Sequence, residues 1–228
     1  MSKKLSKEDL EQDILIEYSS RFMHFYNQNK VAVIGGGLGI VLAIGLVIGY
    51  FVYTSQMEQE AQIHLGMAEQ ALLLGNFEQA LYGDDGELTL GFVQIARNYG
   101  RTDAGNLANY YAAVSEYELG NYEEALTYIE RFSPPRGILG VAPISLHGII
   151  LLDLEQYDEA AQQFERAADW DENNSTTPYN LFEAAEAHIE AGNNQRAIEL
   201  LDRILIEFPN SQQFSRAQRL IGMLSETG

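Results

Sequence analysis

Cysteine is absent from all 228 residues. That excludes disulfides, thiolate metal sites, a cysteine nucleophile and lipid attachment through an N-terminal cysteine. Lysine is absent beyond Lys30. Residues 54–228 carry nine arginines against 28 acidic residues, so the whole net charge of -19 belongs to that part of the chain. Residues 1–53 balance five basic residues (Lys3, Lys4, Lys7, Arg21, Lys30) against five acidic ones. Such an acidic surface repels phosphate backbones and anionic headgroups, which argues against nucleic acid as a partner. Two readings of the acidity stay open, solubility alone or adaptation to a saline habitat.

Catalytic signatures are also missing. The histidines, His24, His64, His147 and His188, are scattered and show no HExxH spacing. Asp84-Asp85-Gly86-Glu87 lacks the alternating oxygen ligands of a calcium loop and reads as a turn. No nucleophile motif is present. The expectation is a non-enzyme that needs no metal and no cofactor.

What the sequence does have is one long apolar run. Val31 to Tyr53 is 23 residues without a charge. As a helix it reaches about 34 Å, enough to cross a hydrocarbon core of about 30 Å. The five basic residues all precede it, Glu58 and Glu60 follow at once, and the next basic residue is Arg97. The positive-inside rule places the N-terminus in the cytoplasm and the rest outside. A cleaved signal peptide would have a shorter apolar core and a small-residue cleavage site, so an uncleaved anchor is expected. Tyr50, Phe51 and Tyr53 suit an interfacial aromatic belt. Gly35/Gly39 and Gly45/Gly49 are spaced for close helix–helix contact in the membrane, although glycine is common in such segments for other reasons. Before the run, Leu10, Ile14, Tyr18, Phe22 and Phe25 recur at three- and four-residue intervals, with Ser6 placed as an N-cap. This spacing predicts an amphipathic helix lying on the inner membrane face or on a partner.

Beyond the anchor the chain repeats itself. A turn followed by an aromatic and then an alanine appears as Gly75-Asn76-Phe77-Glu78-Gln79-Ala80 and as Gly120-Asn121-Tyr122-Glu123-Glu124-Ala125. It returns as Glu155-Gln156-Tyr157-Asp158-Glu159-Ala160 and as Gly192-Asn193-Asn194-Gln195-Arg196-Ala197. The alanines are 45, 35 and 37 residues apart, and twelve residues before each stands a small residue: Ala68, Ala113, Gly148, Ala185. Two antiparallel helices joined by a tight turn pack closely where both carry small side chains. Ser133-Pro134-Pro135 and Pro209 read as helix stops, and Thr177-Pro178 as the cap and first turn of the last unit.

These residues resemble the tetratricopeptide repeat family over about residues 57–210, with departures: the first interval is ten residues too long, and Asn194 stands where an aromatic is usual. The fold expected is all-α, a single transmembrane helix followed by an α-solenoid of tetratricopeptide-type helix pairs. Its parts are a cytoplasmic amphipathic helix (1–30), a signal anchor (31–53) and an extracytoplasmic repeat domain (54–228). The layout, with Arg101-Thr102-Asp103-Ala104-Gly105-Asn106-Leu107-Ala108 leading into the second unit, is similar to the ancillary subunit family of the Sec translocon. That resemblance implies the bacterial inner membrane, a periplasmic domain, translocon association and chaperone traffic.

In the repeat family the first helix of each unit lines a groove. Carried over, the groove positions are Tyr110, Val114 and Tyr117, then Ser145 and Ile149, then Tyr179, Phe182 and Glu186. These side chains either contact a protein ligand or pack the neighbouring unit. The expected function is a membrane-anchored scaffold for other proteins, an accessory or chaperone-like factor of protein export. The alternative is a self-assembling factor of envelope biogenesis or cell division, acting as a homo-oligomer.

Overall fold

The computed structural model describes residues 7–84 and 89–227, with side chains described over 16–84 and 89–225. Ser6 and the tip 85–88 of the Asp84–Glu87 turn lie outside the described residues, as do the side chains of Leu10 and Ile14. The chain divides into two compact units, Met1–Gln56 and Met57–Gly228.

The first unit begins with α1 (Lys7–Gln28), on which Tyr18, Phe22 and Phe25 are exposed. Asn29 interrupts the chain, its side-chain amide donating to the Phe25 carbonyl at 3.1 Å. Helix α2 (Lys30–Leu73) then starts, and it is the helix among the described residues that is long and apolar enough to cross a membrane. Its apolar stretch carries no charge to interrupt it and no glycine contact within 4 Å at Gly35, Gly39, Gly45 or Gly49.

The second unit is built from helix pairs. The C-terminal part of α2 packs with α3 (Phe77–Tyr82) and α4 (Phe92–Asn98). The pairs α5 (Asp103–Glu118) with α6 (Tyr122–Arg131), α7 (Val141–Asp153) with α8 (Tyr157–Trp170), and α9 (Thr176–Glu190) with α10 (Asn194–Glu207) follow. Helix α11 (Phe214–Thr227) follows beyond Pro209 and packs on α10.

The turns explain the repeat. Gly75, Gly120 and Gly192 adopt φ of 76°, 80° and 81°, and Glu155 takes the same place at φ 57°. At each turn this residue donates to the carbonyl three back and its successor to the carbonyl five back, as in Gly120→Tyr117 and Asn121→Glu116. This left-handed closure satisfies the last carbonyls of the first helix and starts the second. Ala80, Ala125, Ala160 and Ala197 are fully buried; Ala80 shares a core cluster with Ala68, Ala125 with Ala113 and Ala197 with Ala185. Space at the crossing is tight: a Cβ on Gly148 would lie 2.9 Å from the Phe164 ring.

The ten surplus residues of the first interval also have a cause. Helix α3 ends at Gly83 (φ 81°), and a two-strand hairpin, β1 (Gly83–Asp84) with β2 (Thr89–Leu90), intervenes before α4. Gly83 pairs with Leu90 and Asp84 with Thr89. The neck requires glycine, since a Cβ on Gly91 would sit 2.2 Å from the Leu81 carbonyl oxygen. The expectation of a plain turn followed by a helix is corrected to this inserted hairpin, a small departure from an all-α fold. A second correction concerns α9, which starts at Thr176, two residues before Pro178. The Asn173 side chain accepts from the Ser175 and Thr176 amides there, and Thr177 instead donates to the Ala168 carbonyl.

Between the second and third pairs, the Trp170 indole donates to the Pro135 carbonyl at 3.0 Å. Arg166 covers its ring at 5.1 Å, and Gly140 leaves the room it needs.

Candidate protein-binding groove

Three helices present solvent-facing stripes in matching register. On α5 the stripe is Tyr110, Val114 and Tyr117; on α7 it is Ala142, Leu146, Ile149 and Asp153; on α9 it is Tyr179, Glu183, Glu186 and Glu190. Each α9 position lies 37 residues beyond its α7 counterpart, so the two stripes run side by side.

Bonds between these helices hold the stripes together. The Tyr117 hydroxyl faces the Asp153 carboxylate of α7, and burial together with that carboxylate pushes its pKa up to about 12. Ser145 of α7 donates to Asn180 of α9 at 2.6 Å. Arg216 of α11 lies 3.8 Å from Glu186 and covers the Phe182 ring at 4.1 Å. Tyr110 packs its ring against Tyr111 and Phe132, each at 5.5 Å.

The expected groove positions divide accordingly. Tyr110, Val114, Tyr117, Ile149 and Glu186 are half-buried and Tyr179 is 37% exposed, all on the open stripes. Ser145 (8% exposed) and Phe182 (2%) are instead tied into the joints between units. Their next neighbours, Leu146 and Glu183, take the open places. A fixed offset from the alanine motif misplaces these two by one residue, a rotation of about 100° around the helix. Asp153 and Glu183 were missed for the same reason, although their spacing from Ile149 and Tyr179 would have revealed them.

The groove changes chemistry along its length. Its α5–α7 part is aromatic and aliphatic. Its α9 part is acidic: burial pushes the carboxyls of Glu183 and Glu186 up, Glu186 adding to the effect on Glu183 while Arg216 opposes it on both. The histidines do not converge. His188 is bonded to Glu165 at 2.8 Å, His64 stacks near Tyr99, and His147 is held low by burial. Among the described residues no group of three or more His, Asp or Glu side chains is placed to hold a metal ion.

Family models described as tetratricopeptide repeat match residues 107–133 and 151–224. A crystal structure of a kinesin light chain of Podosopora anserina with nearly identical TPR-like repeats is similar in fold. It has a TM-score of 0.53 at 14% identity, covering 74% of this chain and 94% of that one. No curated protein matches the sequence. The repeats point to protein–protein interaction as the work of this region. Residues 107–133 and 151–224 thus resemble tetratricopeptide repeats in sequence, and their helix-pair fold agrees with that likeness.

Proposed function

We propose that this chain is a membrane-anchored scaffold of the bacterial cell envelope, with its repeat domain outside the inner membrane and its groove holding segments of other proteins. The observation that carries the reading is the set of aligned stripes on α5, α7 and α9, apolar and aromatic at one end and acidic at the other. Tyrosine gives large contact area at low cost in side-chain entropy, which suits extended or helical peptides. The acidic end favours segments that carry arginine or lysine beside apolar residues. The apolar run within α2 and the basic residues before it support the anchor and its direction.

A role as an accessory or chaperone-like factor of protein export rests on the similarity of layout to the Sec translocon's ancillary subunit. Crosslinking in native membranes followed by mass spectrometry tests it: translocon components and exported chains should co-purify with the full chain. Tyr110→Ala combined with Tyr179→Ala should reduce that capture at least fivefold while helicity stays unchanged. Unaltered capture would remove the groove from the account, and a C-terminal reporter found in the cytosol would remove the topology.

A further inference from the structure

Helix α2 carries three acidic side chains into the repeat domain, and all three are engaged by neighbours. Glu58 accepts from the backbone amides of Asp103 and Ala104 at the start of α5, at 2.7 and 3.2 Å. The Tyr99 hydroxyl faces Glu60 and that of Tyr111 faces Glu69, each carboxylate adding to burial in raising the tyrosine's pKa. The outward face of the same helix, which these three flank, carries no charge of its own. It presents Gln59, Ile63, Gly66, Gln70 and Leu73, spaced four, three, four and three residues apart. Ile63 is 60% exposed and Leu73 85% exposed, with Leu74 (76%) at the flank. A Cβ on Gly66 would meet nothing within 4 Å, so the middle of the face is an open notch.

Two general considerations make this face unusual. The end of a solenoid needs a polar outer surface if water is to cover it. Helix α11 exposes Ser215, Gln218 and Arg219 beside Met223, whereas the outer face of α2 carries no charge and exposes Ile63, Leu73 and Leu74 beside Gln59 and Gln70. Second, four–three spacing of apolar and neutral residues is the seam along which two helices pack side chain into gap.

We propose that this face is covered by the same face of a second copy of the chain, the two α2 helices running parallel. The occupant follows from charge. Residues 54–228 carry 28 acidic side chains, so two copies repel wherever carboxylates meet, and this neutral strip lets them approach without that cost. Glutamine both donates and accepts, so Gln59 and Gln70 can pair with their own images. Glycine at the centre lets the backbones come close. The parallel direction rests on the anchor reading above, because two copies inserted through the same apolar run point the same way.

The cysteine-free sequence makes the test direct. Ile63→Cys, Gln70→Cys and, on the exposed face of α10, Gln195→Cys are introduced singly into the full chain in native membranes and oxidised. Covalent dimers are expected from the first two and not the third. Adding Ile63→Glu to Gln70→Cys should lower the dimer yield at least tenfold. Equal yields at all three positions, or none at 63 and 70, overturn the pairing. A crosslink from position 63 to a different protein overturns it too, by placing another chain on the face. A chain that resists alkaline extraction yet fails to crosslink refutes the pairing and leaves the anchor standing. Extraction by alkali refutes the anchor and, with it, the parallel pair.

Discussion

Helix α8 of the third repeat runs unbroken for 14 residues, whereas the first repeat supplies its counterpart as α3 and α4, six and seven residues on either side of a hairpin. The bonds that tie each repeat to its neighbours differ as well. In the first half tyrosine hydroxyls meet carboxylates across the joint: Tyr82 bonds Glu116, Tyr111 faces Glu69 and Tyr117 faces Asp153. In the second half arginines meet carboxylates, Arg196 on Glu165, Arg203 on Asp169 and Arg216 on Glu186, beside the Ser145–Asn180 and His188–Glu165 bonds. An acidic domain with no lysine has few cations to spend. Neutral phenols let it join carboxylates across repeats without them, and the two halves should answer differently to salt and acid.

The largest effect tests whether the halves are distinct at all. Phe164 is fully buried between α7, α8 and α9, and Phe164→Ala should cost about 3–5 kcal/mol by opening a cavity. Hydrogen exchange on the full chain should then show lost protection over α7–α10 and retained protection over α2–α5. Uniform loss would mean a single cooperative block and erase the contrast. Next, Arg196→Ala removes bonds to Glu165 and Glu199 and should cost about 1–2 kcal/mol, less at molar salt because the guanidinium is half exposed. Tyr111→Phe should cost about 1 kcal/mol with little dependence on salt. Matching salt slopes for the two variants in urea titrations would count against the distinction.

Acid sharpens it further. Burial raises the Glu165 carboxyl, but hydrogen bonds from Arg196 and His188 outweigh it and hold the group below the usual carboxylate range. Its contribution is therefore complete above its unfolded pKa and is lost as pH falls through the depressed folded value. Glu183 and Glu186 are displaced the other way by burial, so their ionisation weakens the fold and acidification relieves it. Melting between pH 3 and 7 should show Glu165→Gln with a flatter acid limb and Glu183→Gln with a higher midpoint at pH 7. The smallest effect lies in the turns. Glu155→Gly should stabilise by about 1 kcal/mol, and Gly120→Ala should destabilise by a similar amount, since both positions are left-handed.

Much of the fold was legible because it rests on local chemistry. The positive-φ glycines, the small residues twelve positions earlier and the proline stops each leave a mark within one turn of helix. The hairpin between α3 and α4 left only a spacing error, because its necessity lies in the contact of Gly91 with Leu81 rather than in any run of strand-forming residues. The solvent-facing stripe was legible to within one residue. Ser145 and Phe182 look like surface groups by position, and only the partners Asn180 and Arg216, 35 and 34 residues away, turn them into joints. The neutral outer strip of α2 was hidden by its own sequence, where glutamates and glutamines stand side by side and only folding shows which of them meet neighbouring helices.

The indole at position 170 has a practical consequence. It is the sole tryptophan in the chain, and it sits where the second and third repeats meet, clasped by a proline carbonyl and an arginine. Its fluorescence is a built-in optical gauge of that seam, reading whether neighbouring modules stay locked or part, with no dye attached.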